Sequence, residues 1–186
     1  MKLLLHCCCA PCSLSCISAL CAEGIEPDLF WYNPNIHPYT EYRLRRNCLI
    51  EFANEKKLKL TLMDDYGLRL FLTEVFPQIE NRQARCEKCY SIRLEKTASD
   101  AAREGYSAFT TSLLISPYQD HEAIKRICED MAVKYSIKFL YRDFRPLFRE
   151  GQSLARTNGM YTQKYCGCIF SEEEKYLPKL PMVCKD

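Results

Sequence analysis

The stretch Lys2-Leu3-Leu4-Leu5-His6-Cys7-Cys8-Cys9-Ala10-Pro11-Cys12 decides the fold. Its apolar run from Lys2 to His6 reads as a buried strand. Pro11 suits the first turn of a helix, where its missing N–H would be unpaired anyway. The spacing predicts that this helix carries Leu14, Ile17, Leu20 and Cys21 inward and stops at Gly24. Asp28 to Tyr32 is expected as a second strand, ended by the turn Asn33-Pro34-Asn35. A charged amphipathic helix follows over Glu41 to Lys57, with Tyr42, Leu49, Phe52 and Ala53 on one side, and Leu58 to Met63 is a third strand.

The same alternation continues. Helices are predicted over Leu68–Phe76, stopped by Pro77, over Cys89–Glu104 with Ile92, Ala98, Ala101 and Ala102 inward, and over His121–Tyr135 with Ile124, Ile127, Cys128 and Met131 inward. Strands are predicted over Ser107–Ile115 and Lys138–Phe144, and a polar connection leads to Cys86. Strands separated by helices of this length favour a mostly parallel α/β sheet flanked by helices. We expect one domain over residues 1–186, with an α/β core over 1–144 and a loop-rich extension over 145–186. In such sheets the site lies beyond the carboxyl ends of the strands, which is where Cys7, Cys8 and Cys9 appear.

Composition narrows the chemistry. With 47% hydrophobic residues the 186-residue chain can build a sizeable core, so neither a disordered tail nor a repeat array is expected. A net charge of +2 excludes a generally basic coat for nucleic acid and leaves room only for a local patch. The three leucines before His6 fall short of a signal core of roughly 7–15 residues, and no stretch reaches the roughly 18 apolar residues of a membrane span. The 13 cysteines are an odd number in a chain that has no need of disulfide staples. They are expected to be free thiols in a reducing cytoplasm.

The thiols fall into three groups: Cys7-Cys8-Cys9-Ala10-Pro11-Cys12, Cys86-Glu87-Lys88-Cys89 and Cys166-Gly167-Cys168. The first two are expected at helix N-termini, where partial positive charge stabilises thiolate ligands. If the sheet brings both turns together, two thiols from each can hold one metal or one cluster, either tetrahedral zinc or iron–sulfur. An adjacent Cys-Cys pair with spare thiols nearby suits the larger cluster better. Cys12 either ligates a second metal or caps the helix. A Cys-Gly-Cys triplet closes, when oxidised, into a strained and easily reduced ring. Cys16, Cys21, Cys48, Cys128 and Cys184 are expected to be small hydrophobes without chemistry.

Among other polar groups, His6 reads as a core histidine beside the cysteines. His37, Tyr39, Asp120 and His121 sit past strand ends and can supply a proton, although Asp120 equally suits a helix N-cap. Over residues 141–165 five basic residues (Arg142, Arg145, Arg149, Arg156, Lys164) against two acidic ones interleave with Tyr141, Phe144, Phe148, Tyr161 and Tyr165. Guanidinium groups and aromatic faces of this kind suit phosphates and splayed RNA bases, and Arg43, Arg45 and Arg46 extend the patch.

The motifs HCCCAPC (His6–Cys12), YNPNIHP (Tyr32–Pro38), RCEKCYSIRL (Arg85–Leu94), FTTSLLISPYQDH (Phe109–His121) and GMYTQKYCGCIFS (Gly159–Ser171), in this order, resemble the cobalamin-independent epoxyqueuosine reductases of the QueH family. The resemblance implies reduction of the epoxide of epoxyqueuosine to the alkene of queuosine at the wobble position of a tRNA anticodon. It implies a 4Fe-4S cluster on Cys8, Cys9, Cys86 and Cys89, with Cys12 available to an additional iron, and a redox-active pair at Cys166 and Cys168. Pro11 and Cys12 fix the register, so that Cys7 is the extra cysteine, and either adjacent pair of Cys7, Cys8 and Cys9 is compatible with ligation. The implied fold is similar to the Rossmann-like sheet of adenine-nucleotide α-hydrolases, without their Ser-Gly-Gly-x-Asp-Ser loop for ATP. The substrate would be tRNA carrying epoxyqueuosine, Asp120 a candidate acid and the electron donor a further partner. The competing readings are a zinc-stapled RNA-binding domain and a cluster-dependent tRNA-thiolating enzyme, the latter disfavoured by the missing ATP loop.

Overall fold

A computed structural model describes residues 1–177; Cys184 lies outside them. Five strands form a single parallel sheet in the order β3-β2-β1-β4-β5: β1 Leu3–His6, β2 Pro27–Trp31, β3 Leu60–Leu62, β4 Ala108–Thr111 and β5 Lys138–Phe139. Leu3, Leu4, Leu5 and His6 pair with Pro27–Phe30 on one side and with Ala108–Thr111 on the other. Every residue of β1 is buried, which is why its sequence is a continuous apolar run rather than an alternating one.

Among the described residues seven helices surround the sheet: α1 Ala10–Ala22, α2 Tyr39–Lys56, α3 Leu68–Val75, α4 Arg82–Arg103, α5 His121–Lys134, α6 Phe148–Thr157 and α7 Ile169–Tyr176. α1 packs against α2 and α6, and α4 against α5. With right-handed crossovers, reversal of the strand order between β1 and β4 puts α1 and α2 on one face and α4 and α5 on the other. α4 follows β3, so its first turns lie at the carboxyl edge of the sheet. No described helix is long and apolar enough to cross a membrane.

Several boundaries differ from expectation. α4 begins seven residues before Cys89, because the Asn81 side chain caps it by accepting from Ala84 N at 3.0 Å. β4 stops at Thr111, whose hydroxyl accepts from Leu113 N and turns Ser112–Ile115 into a 3-10 turn. β3 and β5 are shorter than read, as suits the edges of a sheet. Cys21, expected inward, is exposed, since the buried stripe of α1 ends at Leu20. The described part of the extension holds two helices, and α6 lies so close to α1 that a Cβ on Gly151 would sit 2.5 Å from Ser15 Oγ.

That contact sets the sign of one substitution. Gly→Ala in a helix ordinarily gains up to about 1 kcal/mol, but Gly151→Ala must drive Ser15 Oγ from its place or α6 from α1 and is expected to cost about 1–3 kcal/mol in urea unfolding. Adding Ser15→Ala should recover part of that loss. Strict additivity of the two changes would show that the close approach does not govern packing here.

Candidate functional site: a thiol centre at the carboxyl edge of the sheet

β1 runs straight into the site. Cys7 N extends the ladder to Phe30 O at 2.8 Å, and Asn33 Nδ2 donates to Cys7 O at 2.9 Å. Cys8 N donates to Ser112 Oγ at 3.1 Å, so the turn after β1 is pinned to the end of β4 at the point where strand order reverses. Cys9 is the N-cap of α1, its sulfur accepting from Cys12 N at 3.4 Å.

The result is a buried trio. The sulfurs of Cys8, Cys9 and Cys12 all lie within 4.8 Å of one another, with Cys8 and Cys9 Sγ 3.9 Å apart. Ser112 Oγ also lies 3.4 Å from Cys8 Sγ, and Gln163 Nε2 donates to Cys12 Sγ at 3.4 Å. Hydrogen bonds from Cys12, Cys9 and Ser112 outweigh desolvation and hold the Cys8 thiol well below its ordinary range. Cys9 is pushed up, by burial first, and Cys12 is pushed up, by its bond to Cys8 first. Cys7 is directed elsewhere: its thiol donates to Leu5 O at 3.4 Å, and burial raises it to about 12.

Cys86 and Cys89 are not in this tight trio, and they occupy the second turn of α4 rather than its N-terminus. The N-terminal charge invoked for them in sequence therefore does not apply. Burial raises the Cys89 thiol to about 12. Cys89 packs with Phe71 and Val75, and Cys168 and Phe170 of the Cys-Gly-Cys segment lie against that cluster. Cys168 caps α7, accepting from Ser171 N at 3.4 Å. Cys166 keeps surface open to solvent, yet enough protein surrounds it for desolvation to push its thiol up to about 11.

The loop carrying Cys166 and Cys168 is held by a buried arginine. Arg45 donates from Nη1 to Cys166 O and from Nη2 to Tyr165 O, both at 2.9 Å, and from Nε to Glu41 Oε1 at 2.6 Å. Tyr161 donates to the other Glu41 oxygen. His37 N donates to Gly167 O at 2.7 Å, while Tyr165 donates to His37 O at 2.5 Å. Gly167 has φ +133° and only 3.1 Å of room for a Cβ before Arg45, so this position requires glycine.

The remaining candidates separate clearly. His6 is fully buried, with Nε2 3.3 Å from Tyr32 O and Nδ1 2.9 Å from Thr111 Oγ1. Since the carbonyl can only accept, Nε2 carries the proton and Nδ1 accepts from Thr111. Burial, with the nearby Arg93 charge, lowers His6 to about 4. Asp120 is the exposed N-cap of α5, accepting from Ala123 N at 3.0 Å. His121 Nε2 is 3.1 Å from Tyr141 OH. His37 is fully buried, neither ring nitrogen has a partner, and burial lowers it to about 4.

The basic-aromatic stretch 141–165 is largely consumed internally. Arg142 pairs with Glu23 and Arg145 with Asp143, Phe144 is buried, and Tyr161 and Tyr165 serve the loop just described. Arg45 belongs to the interior rather than to an RNA-facing patch. An aromatic and basic surface is found instead in a cleft of about 410 Å³ lined by Tyr39, Tyr42, Arg43, Arg46, Asp64 and Tyr66. Tyr66 meets the His37 ring edge-on at 5.4 Å, which places this cleft one side chain from the Cys-Gly-Cys loop.

Sequence reasoning missed Ser112, Gln163, Glu41 and Arg93. Arg93 is 2% exposed and donates from Nε to Cys89 O at 3.2 Å. Its place four residues after Cys89, inside the apolar stripe of α4, was the available signal.

A parallel α/β sheet with thiols gathered at its switch point defines a Rossmann-like protein with a cysteine centre. A family model described as epoxyqueuosine reductase QueH matches residues 3–174. The chain belongs to this family of oxidoreductases. It is similar to proteins named epoxyqueuosine reductase QueH from Dehalococcoides mccartyi (33% identical, 94% of each chain covered) and Thermotoga maritima (36% identical, 92% of this chain and 91% of the relative). A third, from Haemophilus influenzae, is 37% identical over 91% of this chain and 71% of the relative. Among solved structures, a predicted subunit of tRNA methyltransferase from Methanocaldococcus jannaschii shares the fold, with a TM-score of 0.51 at 15% identity over 89% of this chain and 94% of the other.

Two outcomes follow from this geometry. Arg45→Met strands the Glu41 carboxylate in the interior and removes the donors from two loop carbonyls; it should cost about 3–5 kcal/mol in urea unfolding, and a loss below about 1 kcal/mol would contradict the clamp. Because His37 titrates near 4 when folded and near 6.5 when unfolded, the unfolded chain takes up its proton first. Stability is therefore complete above pH 6.5 and falls as the pH drops toward 4, by roughly 3 kcal/mol for His37, with His6 adding a similar slope. Unfolding free energies of His37→Leu across this window should show a visibly shallower slope than the parent.

Proposed function

We propose that this chain reduces the epoxide of epoxyqueuosine in the anticodon loop of tRNA to the alkene of queuosine, with a cysteine-held iron–sulfur cluster and a redox-active dithiol. The observation that carries the reading is the gathering of Cys8, Cys9 and Cys12 at the switch point, beside a second packing of Cys89 against Cys168 of the Cys-Gly-Cys loop. Membership of the family supplies the substrate.

The residues present fit a thiolate-bound metal group. The trio is buried with its three sulfurs within 4.8 Å of one another, and a terminal nitrogen of the buried Arg93 has no partner. Cys8, Cys9, Cys86 and Cys89 would hold a 4Fe-4S cluster, and Cys12 would serve an additional iron. Such a cluster supplies electrons one at a time at a potential set by its surroundings.

Deoxygenation consumes two electrons and two protons and releases water. The dithiol of Cys166 and Cys168 matches this: forming the S–S bond releases two electrons and two protons, while both carbon–oxygen bonds of the epoxide break and its oxygen leaves as water. An external electron donor then reduces the disulfide. Arg45 and His37 fix the loop backbone so that the open side of Cys166 is presented to substrate, and the Tyr39–Tyr66 cleft offers aromatic faces and Arg43 to neighbouring nucleotides. Asp120 stands among the candidate acids for the leaving oxygen, as do His37 and Tyr39.

A second reading has one observation in its favour. Thiolates bound tetrahedrally at about 2.3 Å lie about 3.8 Å apart, close to the Cys8–Cys9 separation of 3.9 Å, as a single zinc in an RNA-binding domain would require.

Anaerobic incubation with epoxyqueuosine-containing tRNA and a strong reductant, followed by nucleoside mass spectrometry, tests the proposal; queuosine should form, and brown protein with iron and sulfide should be recovered. Cys166→Ser with Cys168→Ser should keep the iron and lose turnover at least about a hundredfold. Undiminished turnover in that variant would reject the dithiol.

A further inference from the structure

The two fully buried arginines of the chain are treated very differently. Arg45 has a carboxylate at 2.6 Å and two carbonyls. Arg93 has one backbone carbonyl, that of Cys89, and its Nη2 is buried without any partner. Among the described residues no carboxylate is paired with Arg93. A guanidinium does not give up its proton at any ordinary pH, so it cannot escape this environment by neutralising itself. A buried cation without an anion is among the most unfavourable arrangements a fold can contain.

Sulfur is the anion within reach. Burial works against the Arg93 charge, and Cys89, Cys166 and Cys8 are the groups whose deprotonation would stabilise the cation. The same guanidinium, after burial itself, lowers the proton affinity of His6. Arg93 is bonded to Cys89 O and its charge is felt by thiols of all three groups, which come from distant parts of the sequence. Tyr90, whose ring centroid is 5.8 Å from the guanidinium carbon, offers only a weak substitute for a counter-ion.

We propose that Arg93 is the built-in counter-cation of the thiolate centre, a positioning residue whose orphaned, buried guanidinium is balanced by the anionic metal–thiolate group that the cysteines hold. This rests on the reading of the cysteines as metal ligands given above. Two consequences have opposite signs. Without metal, Arg93 is a liability to the fold. With metal, it lowers the cost of assembling several thiolates in one place and raises the reduction potential of whatever centre they hold.

The test compares the full chain with Arg93→Met, which keeps the stem and removes the charge, and Arg93→Lys, which keeps the charge. Urea unfolding is measured on the metal-free proteins. Affinity is measured with iron plus sulfide under anaerobic conditions and with Co²⁺, whose thiolate absorption reports ligation without cluster chemistry. The midpoint potential of the reconstituted centre is measured by spectroelectrochemistry. Arg93→Met should be at least as stable as the parent without metal, bind both metals ten- to a hundredfold more weakly, the range found for residues supporting metal ligands, and show a more negative potential. Arg93→Lys should stay within a few-fold of the parent.

A folded Arg93→Met with parental affinity and potential overturns the inference, as does metal-free Arg93→Met that is markedly less stable than the parent. Should Arg93→Met fail to fold, Arg93→Lys decides: parental affinity supports the role of charge, and a hundredfold loss overturns it. If the parent lacks iron and turnover while Co²⁺ affinity still falls in Arg93→Met, the reductase reading fails and the counter-cation stands. A parent that binds neither metal overturns both.

Discussion

The parallel pairing of β1 with β2 on one side and β4 on the other is the constraint on which the thiol centre depends. It places the end of a four-residue apolar strand at the one position where the strand order reverses, and there backbone groups beyond the ladder have no strand to satisfy them. Ser112 and Asn33 take up this task, binding the main chain of Cys8 and Cys7. The sulfurs that follow are gathered by the helix that begins at Ala10, with Cys9 as its cap. Hydrophobic burial of Leu3–Leu5 supplies the energy, and the turn after it supplies the geometry.

A second layer of order comes from buried charge. Arg45, Glu41, Tyr161 and Tyr165 form one network that fixes the C-terminal Cys-Gly-Cys segment against α2, which starts more than a hundred residues earlier. Such networks are costly to bury and costly to break, so they determine position more than they contribute to net stability. The loop that carries Cys166 is consequently anchored by main-chain contacts and leaves its thiol partly open to solvent.

Much of this was legible in the sequence. Alternation of short apolar runs with helical periods gave the parallel sheet and its flanking helices, because parallel strands are buried on both faces and their composition shows it. The thiol groups were visible as spacing, and the bland readings of Cys16, Cys48 and Cys128 agree with their burial in the core. What escaped was set by tertiary contact. The start of α4 turned on a single capping Asn81 within a polar stretch. Arg93 looked like one more charge on a helix, and the charges of residues 141–165 looked like a surface, because sequence shows that Arg142 is basic but not that Glu23 waits 2.7 Å away. Glu41 and Gln163 carried no local signal at all.

Three identical residues in a row make the end of β1 chemically degenerate: displacing the chain by one position would offer Cys7 where Cys8 now stands, with no change in the kind of atom presented. Specificity must then reside in neighbours that are not cysteines. His6 is such a neighbour, with one ring nitrogen on the chain just past β2 and the other on the last residue of β4. A displaced strand would strand both nitrogens in the interior. The histidine beside the cysteines thus acts as an alignment mark, telling apart three sulfurs that their own chemistry cannot.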